Sequence, residues 1–199
     1  MKKVICCPAS CIPDVLDKET FYFVLYSSSN NPKIGHITPS FLSEFQKQGF
    51  NPSIEMLDFT TFALSVVAAD ESVIRSESAD GWTRSIELHI YLQNPEIWNK
   101  KRKDLEDTLR FLTGDFWNLR FFESKPIGVK SNKQAKINSA DCVCLLSGGV
   151  DSLVGAIDLT TKGIKPLFIS KIVRGSFDAQ RKFAIEMGAH SVTANGVEV

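Results

Sequence analysis

The chain has 199 residues, with 23 basic and 23 acidic side chains and a formal net charge of zero. An apolar content of 43% suffices for a core and excludes wholesale disorder, and the length allows one domain or two small ones. Balanced charge argues against non-specific coating of nucleic acid, no run approaches the ~18 apolar residues of a membrane span, and the short stretch before Pro8 is no secretory signal, so a cytoplasmic protein without membrane contact is expected.

The first residues allow a strand containing Cys6 and Cys7. With Cys11 these thiols could hint at a metal, but zinc usually takes four ligands in spaced pairs and no His is near, so a reduced, partly buried strand is expected. Phe21 to Tyr26, aromatic and branched, predicts a strand followed by the loop Ser27 to Pro32. Asn51-Pro52 reads as a helix start. The helix to about Ala69 is apolar nearly all round (Leu57, Phe59, Phe62, Leu64, Val66, Val67), which predicts a buried helix. Asp80-Gly81 marks a turn before the strand Ser85 to Leu92, where Ile86, Leu88, Ile90 and Leu92 share a face and His89 lies on the other as a surface residue. Asn94-Pro95 starts another helix, with Trp98, Leu105, Leu109 and Leu112 as one apolar stripe, a charged solvent face after Lys100, and Gly114 as the left-handed stop. Phe116 to Phe122 is a further strand. These elements predict an α+β domain over residues 1–124, with helices on one sheet, packed tryptophans and no catalytic constellation. Residues 125–140 carry Lys125, Lys130, Lys133 and Lys136 without an acid, which reads as a solvated linker.

From residue 141 the pattern changes. Asp141 to Leu146 is an apolar strand, with Cys142 and Cys144 on one side. A helix follows to Gly163, then a strand from Lys165 to Ser170, a helix from Phe177 to Met187 and a strand beginning at His190. Strands alternating with helices predict a parallel sheet over 141–199, and an α/β chain as a whole.

Between the first of these strands and its helix lies Ser147-Gly148-Gly149-Val150-Asp151-Ser152. An open parallel sheet binds ligands at this kind of loop. Adjacent glycines admit a bulky anion, first-turn N–H groups face it, and the helix dipole favours its charge. Ser147 and Ser152 add hydroxyls. Asp151 would repel a bare phosphate but suits Mg²⁺ or a capping role. No Walker, dinucleotide or nucleophile-elbow motif is present.

Ser-Gly-Gly-x-Asp-Ser resembles the pyrophosphate loop of the PP-loop ATP pyrophosphatases, which adenylate a carbonyl or carboxylate oxygen and release pyrophosphate. Its five fixed positions arise by chance in roughly one chain of this length in several thousand. Leu145-Leu146-Ser147-Gly148-Gly149-Val150-Asp151-Ser152 is most similar to the 7-cyano-7-deazaguanine synthases (QueC-like), and the layout resembles the synthase-like proteins of anti-phage defence systems, the QatC type. Asp70-Glu71, Asp80 to Trp82 with Arg84 to Leu88, and Leu109 to Trp117 resemble the extra N-terminal domain of that type. The resemblance covers about residues 55–199. It implies that Ser147, Gly148, Gly149, Val150, Asp151 and Ser152 cradle ATP phosphates and that Ile169 and Ser170 lie near the adenine; Asp151 is the candidate Mg²⁺ ligand on the chemistry above.

Two departures follow. The family's four-cysteine zinc site lies beyond the loop, and no cysteine follows Cys144 here; the family's sheet also continues past the third strand. Residues 141–199 thus match about half of such a domain, with the loop-bearing strand left at an unpaired edge. The expectation is a truncated chain: an engineered fragment, an interrupted gene or one half of a split enzyme. Three readings stand: an ATP-dependent synthase-like protein of phage defence, or its fragment; a nucleotide- or partner-binding module without turnover; and a PP-loop enzyme of tRNA, which the balanced charge disfavours. Expected partners are ATP, other defence proteins or a C-terminal half, with nucleic acid not expected.

Overall fold

The computed structural model describes residues 1–38, 41–127, 140–171, 182–183, 185–186 and 191–194. Among them no helix is long and apolar enough to cross a membrane. The chain is α/β and divides into two compact units. Most of the helix expected over 177–187, His190, and linker lysines Lys130, Lys133 and Lys136 lie outside the described residues.

The first unit is a five-stranded sheet of β1 (Lys2–Cys7), β2 (Thr20–Leu25), β3 (Ile34–Ile37), β4 (Ser85–Leu92) and β5 (Phe116–Glu123), in the order β3-β2-β1-β4-β5. Every neighbouring pair is parallel, with Val4 opposite both Phe21 and Leu88, and Leu88 opposite Leu119. This corrects the expected α+β domain. Alternation marks a buried face but not a strand's direction, and the connections here return each strand in the same direction. β1 is short, yet it is the central strand. Cys6 and Cys7 are buried in it, and burial pushes both thiols up to about 12.

Helix α1 (Phe41–Gln48) groups with the second unit; α2 (Ile54–Ser72), α3 (Pro95–Lys100) and α4 (Arg102–Thr113) belong to the first. They cover the face formed by Ile86, Leu88, Ile90, Leu92, Trp117, Leu119 and Phe121, all buried. Phe62 of α2 meets both Trp98 of α3 and Phe121 at ring separations of 6.0 and 6.4 Å. The cap of α2 is Ser53, whose Oγ accepts from Met56 N–H at 3.3 Å, rather than Asn51. Nor is α2 buried all round: Leu57, Phe62 and Leu64 are buried, while Met56, Phe59 and Val67 are exposed. Asp58, wholly buried, accepts from Gln93 N–H and Asn94 N–H at 2.8 and 2.9 Å, fixing α2 to the end of β4 and the start of α3. The stripe on α4 is narrower than expected. Lys101 divides the stripe between two helices, and on α4 Leu109 is buried while Leu112, in the last turn, is 69% exposed. Gly114 ends α4 at φ 76°.

The second unit holds β6 (Cys142–Leu145), α5 (Val150–Thr161), β7 (Pro166–Lys171) and β8 (Ser191–Ala194). The sheet order is β6-β7-β8, all parallel, with Val143 opposite Leu167 and Ile169 opposite Val192. Asp141 and Lys165 brace its amino end: each donates its N–H at 2.8 Å, Asp141 to the Lys165 carbonyl and Lys165 to the Asp141 carboxylate. Leu146, Ala156 and Phe168 are fully buried together, and the small Ala156 lets α5 sit close on the strands.

Candidate functional site

The loop Ser147 to Ser152 joins the carboxyl end of β6 to the first turn of α5. Its root is fixed from two sides. Leu146 N–H donates to the Ile169 carbonyl at 2.9 Å, and the buried Ser170 hydroxyl donates to the Leu146 carbonyl at 2.8 Å. Ile169 and Ser170 therefore stand beside the loop at the end of β7. Ser170 serves as a strut there, a role the sequence did not indicate.

Inside the loop the two serines form one network. Ser147 hydroxyl donates to Ser152 Oγ at 3.0 Å, and Ser147 N–H donates to the same oxygen at 3.2 Å. Ser152 hydroxyl passes its proton on to the Gly149 carbonyl at 2.9 Å, and Gly149 N–H reaches Ser147 Oγ at 3.4 Å. The hydroxyls thus shape the loop from within.

The glycines differ in their need. Gly148 sits at φ 87°, a left-handed conformation that strains any side chain. Gly149 caps α5 with extended angles, and a Cβ there would meet only Ser147 Oγ at an ordinary 3.5 Å. The first helical bond is from Leu153 N–H to the Gly149 carbonyl at 3.2 Å. N–H groups of Val150, Asp151 and Ser152 precede it and point out of the helix end with the positive end of its dipole. No side chain caps them. Val150 and Asp151 are exposed.

This donor set fits a phosphate group. A divalent cation also fits: the Asp151 carboxylate is exposed at the mouth, and Mg²⁺ usually takes one or two carboxylates, with phosphate and water completing its shell. Among the described residues no three His, Cys, Asp or Glu side chains gather into a metal site, so Asp151 would be the protein's contribution.

Two surface clefts, of about 430 and 350 Å³, lie in the first unit at the amino ends of its strands. Open parallel sheets take ligands at their carboxyl ends, which favours the loop of the second unit.

One cluster escaped the sequence reading. Arg84 and Asp115 directly precede β4 and β5, and Arg84 donates to Asp115, to the Asp70 carboxylate and to the carbonyls of Asp70 and Val73. Arg75 donates to both Asp115 oxygens at 2.9 and 3.0 Å and lies over the Trp82 ring. The stretches containing Asp70, Arg84 and Asp115, far apart in sequence, thus converge on one buried brace. A charged residue immediately before each of two apolar strands was the available signal.

Comparison of the chain with protein-family models, with curated proteins and with solved structures found no match.

Proposed function

We propose that Ser147 to Ser152 binds the phosphates of ATP, and that the chain is a deazaguanine-synthase-like protein of the PP-loop type acting in anti-phage defence. The supporting observation is the joint geometry at the end of β6: a left-handed Gly148, outward first-turn N–H groups of α5, and two serine hydroxyls that shape the loop between them. In this reading Gly148 and Gly149 admit the triphosphate, the N–H groups of Val150 to Ser152 neutralise it, and Ile169 and Ser170 border the adenine. Asp151 would hold Mg²⁺, which would supply positive charge against the phosphates.

Gly149→Val tests the reading cleanly. A Cβ at Gly149 meets nothing closer than Ser147 Oγ at 3.5 Å and the backbone there is extended, so the variant is expected to fold, whereas Gly148→Val would strain the backbone and confuse binding with folding. Titration calorimetry with Mg-ATP should show saturable binding by the parent chain and none by Gly149→Val. Equal affinity in the two would remove the loop from the site. Failure of the parent chain to bind would remove the function with it.

A second reading keeps nucleotide or partner binding without turnover. It is favoured by the place of β6 at the edge of its sheet, with Val143 and Leu145 66% and 73% exposed.

A further inference from the structure

The face of the five-stranded sheet opposite α2, α3 and α4 is unlike that of most parallel sheets, which are covered on both sides. Over β5 it is open, while Glu87, His89 and Tyr91 of β4 are half-buried beside it. Phe116, Asn118, Arg120 and Phe122 point outward along β5, with Phe116 and Phe122 50% and 38% exposed. Arg110, from the last turn of α4, places its guanidinium 4.5 Å from the centre of the Phe116 ring. On β4 the Tyr91 ring stacks on Phe122 at 5.2 Å and His89 meets the same ring at 5.1 Å. The result is a row of rings and guanidinium groups about 20 Å long, the length of six residues of strand.

Charge decides what suits this row. Among the described residues neither Arg110 nor Arg120 pairs with a carboxylate. The one acid on the β4 strip, Glu87, is engaged by His89 at 2.7 Å and by Lys3 at 3.5 Å. Burying two unpaired guanidinium groups under an apolar protein surface would be costly, whereas a polyanion neutralises them. Flat exposed rings accept stacked bases, and the Asn118 amide offers a donor and an acceptor to a base edge. We propose that the β4–β5 face binds single-stranded nucleic acid, with bases on Phe122 and Phe116 and phosphates on Arg120 and Arg110. The zero charge of the whole chain does not oppose this, because recognition depends on the charge of one face. The proposal is independent of the phosphate loop.

The test uses the full chain and a fluorescein-labelled single-stranded oligonucleotide of mixed sequence, as DNA and as RNA, followed by anisotropy at about 50 mM salt. Saturable binding is expected, with the matching duplex bound more weakly. Phe122→Leu, which keeps an apolar side chain but removes the ring, should weaken binding at least about fivefold. Arg120→Gln should weaken it and reduce the slope of log affinity against log salt by about 0.7. Lys162→Gln, on the second unit, should change neither. Thermal melts of each variant establish that it is folded. Absence of binding at low salt overturns the proposal, as a face built for a protein partner would produce. So does binding that folded Phe122→Leu and Arg120→Gln leave unchanged.

Discussion

Arg84 Nη2 lies 2.6 Å from Asp115 Oδ2, and the two side chains are 3% and 0% exposed. This pair holds the amino ends of two adjacent parallel strands, and the chain connecting those strands runs through α3 and α4 on the same face. Removing one partner leaves the other charged and buried. Asp115→Ala should therefore destabilise the protein by ~3–5 kcal/mol, read as a lowered urea midpoint with little change in slope. A loss below ~1 kcal/mol would show that water enters the site and that the brace is not needed.

Acid should act through the same carboxylate. Burial alone would raise the Asp115 pKa, but hydrogen bonds from Arg84, then its charge and that of Arg75, outweigh burial and hold the group below its ordinary value of 3.8. A depressed folded pKa contributes stability that is present above the unfolded value and lost as pH falls through the folded one. Melting temperature should thus drop on acidification below about pH 4, and Asp115→Asn, less stable at neutral pH, should flatten that part of the profile. An unchanged profile in the variant would assign the acid sensitivity to other carboxylates.

His89 gives a second window. Burial lowers its pKa below 6.5, and the hydrogen bond to Glu87 only partly opposes this. Stability from the neutral ring is present above pH 6.5 and declines as pH falls through the lowered value. Titration of the ring protons by NMR should give a midpoint below 6.5. A midpoint above that value would mean that the ion pair with Glu87 dominates.

The thiols should divide by burial. Cys11 is exposed, whereas Cys6 and Cys7, pushed up to about 12, hold almost no thiolate near neutrality. Ellman's reagent should modify Cys11 quickly in the native protein and reach Cys6 and Cys7 only after unfolding. Native reactivity of Cys6 equal to that of Cys11 would contradict the central place of β1.

The chain by itself should not turn over ATP. Adenylation needs charge stabilised on both sides of the triphosphate, and the N-terminus of α5 supplies one. Lys162 is tied to Asp158 at 2.7 Å at the far end of α5, away from the loop. Purified protein given ATP and a range of deazapurine acids should release no AMP or pyrophosphate. Multiple turnovers lost in Asp151→Ala would show that the chain is a complete enzyme.

Much of this fold was written in local chemistry. The span of β4, the turn at Asp80-Gly81, the start at Asn94-Pro95 and the left-handed Gly114 all depend on residues close in sequence. Strand direction does not. Ile86 to Leu92 alternates equally well in a parallel or an antiparallel sheet, and the central role of β1 comes from its neighbours rather than its own six residues. The same division holds for the loop. Gly148 and the serines were legible because a tight strand-to-helix turn restricts residue type, while the strut from Ser170 to Leu146 depends on pairing across strands. The pairing of Arg84 with Asp115 and Asp70 left only the charges before β4 and β5 as a signal, because long-range ion pairs leave no periodic trace.

Glu106 of α4 accepts the Leu119 N–H of β5 at 2.9 Å. β5 is an edge strand, and this side chain occupies a donor that a further strand would need. The first unit's sheet therefore has a polarity of growth: templated extension, as in fibril formation or strand exchange between copies, is hindered at β5. Glu106→Ala would open that end, and faster seeded aggregation would be its signature.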